Sequence, residues 1–548
     1  MVFHPPRQPK MTLIKKIPYA LLLAPILIYW GYWTLNSSYW FPPDPGAWYF
    51  LDSLAVFAGK TYVYVDHPGT PVHLIGSLLL ALTLPFFKSR ESFIAYHIAR
   101  PETFFFMANV FLLAINSLTA ILFYQTVRDS LKKDKTLLAL ALSLMFFGLH
   151  PQSYESLTFW SHNSFNYPFG ALWLIGLYRA LRPNLPLDWK KLAFLGFTAG
   201  TLGMTQMYFL GWLAAGTLTT FIFSRRLGRT TRRASGDTAW FVGGGLLGIA
   251  AMLAPITHEI PRFASWFTRI LSNTGVYGSG ASGFYTLEMI PQSLAFWATS
   301  VPALMAYLLA GLTLLAAILL LQRKSAWKIS PADQAMLTGL LAQIAMLLVV
   351  LSKLYLKLRY MLALTAVLPV LLFLLFKILE SAPGNFGLLR RTLALLALIA
   401  AAAALPGALN IQAKKAFVQR DAALARSLVV TKLAQSRHVP ETDIVVIYGS
   451  GTPIKCAGLL MANNWIRAFD REIARLCPNQ FSIYDSAVEI ELNILYPVPQ
   501  LDEIAWDVVV SPGNHSGLQD TLRAAGAVNV PGAWGVNRAA WFFIRPEP

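Results

Sequence analysis

Apolar residues in this chain come in long, nearly unbroken runs, not in the alternations of a half-buried sheet. A bilayer core about 30 Å thick needs roughly 20 helical residues to cross, so runs of this kind predict membrane-spanning helices. About eleven spans fit, near 17–35, 103–127, 136–149, 165–181, 192–206, 209–224, 238–256, 292–321, 334–351, 360–376 and 392–409. The first run follows Arg7, Lys10, Lys15 and Lys16 and has no small-residue cleavage site behind it, which predicts a retained signal anchor. Between the first two spans lies a long amphipathic loop, 36–102. Within Trp48–Lys60, Phe50, Leu51, Leu54, Phe57 and Ala58 recur at helical spacing, with Asp52 and Ser53 on the other side. That pattern suits a helix lying in the membrane interface or a packed lid helix. The pattern changes at Asn410. A polar helix near 413–436 leads to short apolar strands at Asp443–Tyr448, Trp506–Val510 and Trp541–Arg545, with helical segments between them. The expected architecture is a polytopic α-helical membrane domain over 1–409 and a water-soluble α/β domain over 410–548.

Composition agrees with that division. Of 548 residues, 55% are hydrophobic and only 13% charged, against about 25% charged in ordinary soluble proteins. The net charge of +18 belongs to the membrane part, because the chain from Asn410 onward holds 13 Lys/Arg and 13 Asp/Glu. Basic residues cluster in alternate loops, at Arg128–Lys135, Arg179–Lys191, Arg225–Arg233, Arg323–Lys328 and Lys377–Arg391. This is the positive-inside pattern and points away from nucleic acid. It places the N-terminus in the cytoplasm and the C-terminal domain outside, in the periplasm if the membrane is a bacterial inner membrane. The assignment requires that the apolar stretch Val72–Phe87 rests on the outer surface without crossing. The two cysteines, Cys456 and Cys477, both lie in the tail, where an oxidising compartment would join them as a disulfide.

The chemistry-bearing residues gather in the outer loops. Asp44, within Pro42-Pro43-Asp44-Pro45-Gly46, stands just past the first span. It could serve as a general base toward a hydroxyl or amine, or simply support the turn. Asp66 and His67 lie in the same loop. Glu155 and His162 follow the third span, where polar groups are costly and commonly line a cavity. His258, Glu259 and Arg262 sit in a later outer loop, ahead of the Gly/Ser-rich run 273–283. Lys353, Lys357 and Arg359, followed by Tyr360, break the charge rule on the outer side. Lys353 and Lys357 share one helix face. They would bind an anionic lipid or pyrophosphate headgroup, or snorkel to ordinary lipid phosphates. No metal-ligand motif stands out, so a metal-independent reaction is expected.

The layout resembles the GT-C superfamily of polyprenyl-phosphate-sugar-dependent glycosyltransferases, in particular the protein O-mannosyltransferase and aminoarabinose transferase branch. The similarity covers roughly 17–376. It rests on Asp44 soon after the first span, on His67-Pro68-Gly69-Thr70-Pro71 after an amphipathic helix, on Arg100 before the second span, and on Arg359-Tyr360 running through to Pro369. The family's usual Asp-Glu pair is Asp44-Pro45 here, and the second proline of its His-Pro-Pro motif is Gly69. The resemblance implies a lipid-linked sugar phosphate held in an outer-leaflet cavity, with Asp44 activating the acceptor. Lys353, Lys357, Arg359, Tyr360 and Arg100 would hold the departing polyprenyl phosphate, and Asp66, His67, Glu155, His162, His258, Glu259 and Arg262 would line the cavity. It implies single displacement with inversion, onto a glycan, lipid or protein acceptor. A lipid or sugar flippase and a non-enzymatic assembly factor are the other readings. Internal repeats and broken helices typical of transporters are not visible in the sequence.

Overall fold

The structure is a computed structural model. It describes residues 13–37, 45–65, 69–181, 188–206, 209–272, 287, 289–324, 329–353, 361–382, 386–448, 452–482, 508–511, 528–529 and 542–544. Asp44, Asp66, His67, Lys357, Arg359, Tyr360 and the run 273–283 lie outside the described residues.

Eighteen α-helices are described. Seven are long and apolar enough to cross a membrane, or up to nine if two sharply bent helix pairs each count as one span. The segments read as spans are α1 (Leu13–Asn36), α5 (Pro101–Ser130), α6 (Lys135–Gly148), α7 (His162–Ala180), α8 (Trp189–Gly203), α9 (Leu210–Arg226) and α10 (Thr231–Leu253), then α13 (Pro302–Lys324), α14 (Pro331–Lys353), α15 (Leu362–Glu380) and α16 (Gly387–Arg437). Helix α15 carries no charged residue before Lys377 and sits at the centre, with 94% of its most apolar window buried. Helices α8 and α10 approach through glycines. A Cβ added at Gly200 would overlap the Gly245 carbonyl, and one at Gly248 the Phe197 carbonyl. Small residues at four-residue spacing allow this backbone contact, which drives helix association where lipid offers no hydrophobic gain.

Several expected boundaries shift for local reasons. The single span 292–321 is two helices, α12 (Met289–Ser300) and α13, parted at Val301. Pro302 opens α13, and a proline disfavours helical backbone in the residue before it. The expected run 136–149 ends at Gly148 and continues, bent by 87°, into a 3-10 segment Pro151–Leu157. The expected span at 392–409 and polar helix at 413–436 are one continuous 51-residue helix, α16, with Pro406 inside it. The Ala-rich sequence on both sides favours helix throughout, and a single internal proline does not end it here.

The first outer loop holds α2 (Gly46–Ala55), α3 (Thr70–Ala81) and α4 (Arg90–Ala99). The stretch Val72–Phe87 does not run straight on: α3 and its 3-10 extension turn back by 117° into α4. A Ser89/Ser92 capping box starts α4 cleanly after the turn. All ten residues of α2 are buried, Asp52 and Ser53 included, so α2 is a packed helix and not an interfacial one.

At the C-terminal end, β1 (Val445–Tyr448), β2 (Gln480–Ser482), β3 (Val508–Ser511), β4 (Val528–Asn529) and β5 (Phe542–Ile544) form a sheet in the order β2-β1-β3-β5-β4. Strand β1 is parallel to β2 and β3, while β5 is antiparallel to β3 and β4. Two helices, α17 (Lys455–Ile466) and α18 (Asp470–Leu476), lie between β1 and β2 in sequence, and the Cys456–Cys477 disulfide ties them together. Their apolar residues Leu459, Met461, Ala462, Ile466, Phe469 and Ile473 join one core with α2, α4 and the start of α5. Lys455 reinforces that docking with an ion pair to Glu102 at 3.0 Å and a hydrogen bond to the Ala99 carbonyl.

Candidate functional site

The extended segment 61–65 has few backbone partners of its own kind, because it lies in no sheet. Buried peptide groups must then be satisfied by side chains. From α2, the Asp52 carboxylate accepts hydrogen bonds from the Val63 and Tyr64 amides, the latter at 2.7 Å. From α3, His73 Nε2 donates to the Tyr64 carbonyl at 2.9 Å. From the segment after α10, His258 Nε2 donates to the Tyr62 carbonyl at 3.1 Å. From α11 (Ile260–Ser272), Arg262 Nη1 donates to the Val63 carbonyl at 3.3 Å. Four side chains from three chain regions therefore clamp one short segment. That segment leads directly into Asp66 and His67.

Asp52 and His73 are both fully buried, with Nε2 3.6 Å from the nearer carboxylate oxygen. They do not form an ion pair. Burial pushes the Asp52 carboxyl up to about 7, although the Tyr64 and Val63 amides and the Arg262 charge pull it back. Burial pushes the His73 imidazole down to about 3. The bond to the Tyr64 carbonyl fixes the Nε2–H tautomer, and Nδ1 has no hydrogen-bond partner among the described residues. The pair thus holds the backbone as neutral imidazole and a carboxyl poised near neutrality. Ser53, next to Asp52, bridges to the His73 carbonyl at 3.2 Å. Aromatic rings seal the clamp: Tyr62 stacks on His73 with centroids 4.9 Å apart, and Tyr64 on Trp48 at 5.7 Å.

Arg262 does double duty. Its guanidinium lies over the Trp465 ring of α17, 4.3 Å from the centroid. Glu259 is 4.0 Å from it and 3.9 Å from His258. The outer helix, the first loop and the C-terminal region thus meet at one residue.

The remaining predicted site residues are dispersed. His162 begins α7, and its Nδ1 pairs with the Tyr49 hydroxyl of α2 at 2.9 Å. Glu155 pairs with Lys415 of α16 at 2.7 Å. Arg100 is exposed between α4 and α5, against the Tyr96 ring. Lys353 is the last residue of α14. Among the described residues no group of His, Cys, Asp or Glu could hold a metal ion. The structure brings His258, Glu259 and Arg262 together, as grouped from sequence, and adds Asp52 and His73, which sequence reasoning left out. The signal was present: an acid and a histidine, each inside an apolar run, flank the aromatic segment Tyr62-Val63-Tyr64.

No protein-family model matches the sequence, and no curated protein does. Among solved structures, the crystal structure of ArnT from Cupriavidus metallidurans bound to undecaprenyl phosphate is similar, with a TM-score of 0.50 and 13% identity over 97% of this chain and 100% of that one. At that identity the likeness is one of fold. Together with the helices long and apolar enough to cross a membrane, it shows an integral membrane protein whose fold is like that of ArnT.

Proposed function

We propose that the protein is a membrane glycosyltransferase that moves a sugar from a polyprenyl-phosphate donor to an acceptor at the outer face of the membrane. The likeness to ArnT over essentially the whole of both chains carries this reading. The ArnT structure contains undecaprenyl phosphate, and a carrier of that chemistry is the donor lipid proposed here. The clamp supports it, because it fixes the backbone of 62–64, which directly precedes Asp66 and His67 in the sequence of the first loop.

In the proposed reaction Asp44 takes the proton of the acceptor nucleophile as that atom bonds to the anomeric carbon. The bond from that carbon to the phosphate oxygen breaks, and its electron pair leaves with the polyprenyl phosphate. One displacement inverts the anomeric centre. Lys353, Lys357, Arg359 and Tyr360, with Arg100, stabilise the charge gathering on the leaving phosphate. Such a leaving group needs no general acid, so a single carboxylate suffices without a metal. The C-terminal α/β region and the clamp lie on the periplasmic side, as the Cys456–Cys477 disulfide supports.

The test uses the full chain in nanodiscs. Asp44→Asn is expected to retain undecaprenyl-phosphate binding while transfer from a panel of polyprenyl-phosphate sugars falls by about 10²–10⁴-fold. Replacing Lys353, Lys357 and Arg359 together with alanine is expected to abolish the binding. Full transfer by Asp44→Asn, or lipid scrambling in proteoliposomes with no transfer by any variant, overturns the reading.

A further inference from the structure

An apolar groove lies beside the arginine-rich start of α10. Helices α9 and α10 leave between them a groove of about 580 Å³, lined by Leu213, Leu218, Phe221 and Val242 together with Thr217 and Thr238. Both threonine hydroxyls are already spent: Thr217 donates to the Leu213 carbonyl and Thr238 to the Ala234 carbonyl. The groove therefore offers hydrocarbon surface and no unmet hydrogen bond. From Leu210 to Phe221 it runs about 17 Å along α9, close to one leaflet's share of a hydrocarbon core about 30 Å thick.

Its mouth is strongly cationic. The turn joining the helices carries Arg225, Arg226, Arg229, Arg232 and Arg233. Asp237 pairs with Arg229 and accepts from the Ser224 hydroxyl, and Arg225, Arg226, Arg232 and Arg233 are exposed. The turn also presents the N-terminus of α10, capped at Thr230, whose dipole favours a phosphate. The clamp residues His258 and Arg262 follow the opposite end of α10, which lies about 34 Å away along a 23-residue helix. This site is therefore distinct from the donor site proposed above and does not depend on it.

We infer that the α9–α10 groove binds an anionic diacyl phospholipid, with an acyl chain between the helices and the phosphate on the arginine turn. Hydrocarbon chain and phosphate are both matched, and a zwitterionic headgroup would leave the four exposed arginines without net compensation.

The test is native mass spectrometry of the delipidated full chain titrated with phosphatidylglycerol, phosphatidylcholine and undecaprenyl phosphate. Wild type is expected to retain one phosphatidylglycerol at least tenfold more tightly than phosphatidylcholine. Replacing the four exposed arginines with glutamine is expected to remove that preference, at roughly fivefold per arginine before saturation. Thr217→Phe, which fills the groove and keeps the charges, is expected to weaken both phospholipids. It also covers the case in which the four-site variant fails to fold. Unchanged phosphatidylglycerol binding in either variant overturns the inference. So does saturation of the site by undecaprenyl phosphate alone, or a dimer that forms through this face in place of lipid.

Discussion

The two ends of the helical bundle use charged residues in opposite ways. At the clamp end, Asp52 and His73 are buried, close together and not ion-paired, and they spend their polar atoms on the backbone of 62–64. At the arginine-rich end, acids and bases pair between helices: Asp333 with Lys377 at 2.6 Å, Glu380 with Arg390 at 3.0 Å, and Asp134 with Arg391 at 2.9 Å. Glu380 also accepts the Lys132 and Lys133 amides, which ties the α5–α6 turn to α15. One end fixes a segment in a chosen conformation. The other closes helix ends and presents surplus positive charge. Pairing decides the difference: the Asp52 carboxyl has backbone amides as its hydrogen-bond donors, whereas Asp333, Glu380 and Asp134 each face a cation within 3.0 Å.

The strongest test of this contrast removes Glu380. Glu380→Ala strands the buried Arg390 and two amides, and is expected to cost about 3–5 kcal/mol, read as thermal melting in detergent. Asp52→Ala comes next. It leaves the Val63 and Tyr64 amides without an acceptor, an expected cost of about 2–4 kcal/mol, and transfer activity should fall with it. Asp52→Asn keeps the shape and is expected to recover only part of both. Melting unchanged by Asp52→Ala would show that the clamp does not hold the segment.

A pH series sharpens the comparison. The folded protein keeps a proton on Asp52 up to about 7, where an unfolded carboxyl loses it near 3.8, so this group alone makes stability fall as pH rises between those values. The folded protein leaves His73 neutral down to about 3, where an unfolded imidazole binds a proton below 6.5, so this group alone makes stability rise with pH over that window. Where the windows overlap, each state carries one proton and the two slopes cancel. His73→Gln is expected to expose the falling slope and Asp52→Asn the rising one. Parallel melting profiles for the two variants between pH 4 and 6.5 would refute the pairing.

Smaller effects are expected at the joints. Trp465→Leu removes the ring under Arg262, and a cation–π contact contributes about 0.5–2 kcal/mol. The loss should vanish in an Arg262→Gln background if the contact is its cause. Asp134→Asn should leave melting unchanged within error at physiological salt, because Arg391 is exposed and an exposed pair is screened.

Much of the architecture was legible in the chain. Apolar runs marked the membrane helices, and the pairs His258/Arg262 and Cys456/Cys477 were visible as candidates. The boundaries that moved did so where a few residues decide between continuation and a break, at Val301-Pro302 and around Asn410. Asp52 was misjudged because helical periodicity shows which residues share a face, but not whether the opposite face meets water. In α2 it meets the backbone of 63–64 and His73 of α3, and an acid that reads as solvated is enclosed.

By itself, the sequence determined that the chain enters a membrane, because the length and composition of an apolar run are local properties that hydrocarbon selects directly. It also determined where positive charge accumulates. Only the tertiary structure decided that residues 52, 73, 258 and 262 would converge on one unpaired stretch of backbone. That convergence depends on how loops far apart in the chain fold over one another, and the unmet hydrogen bonds of 62–64 have no partner until they do.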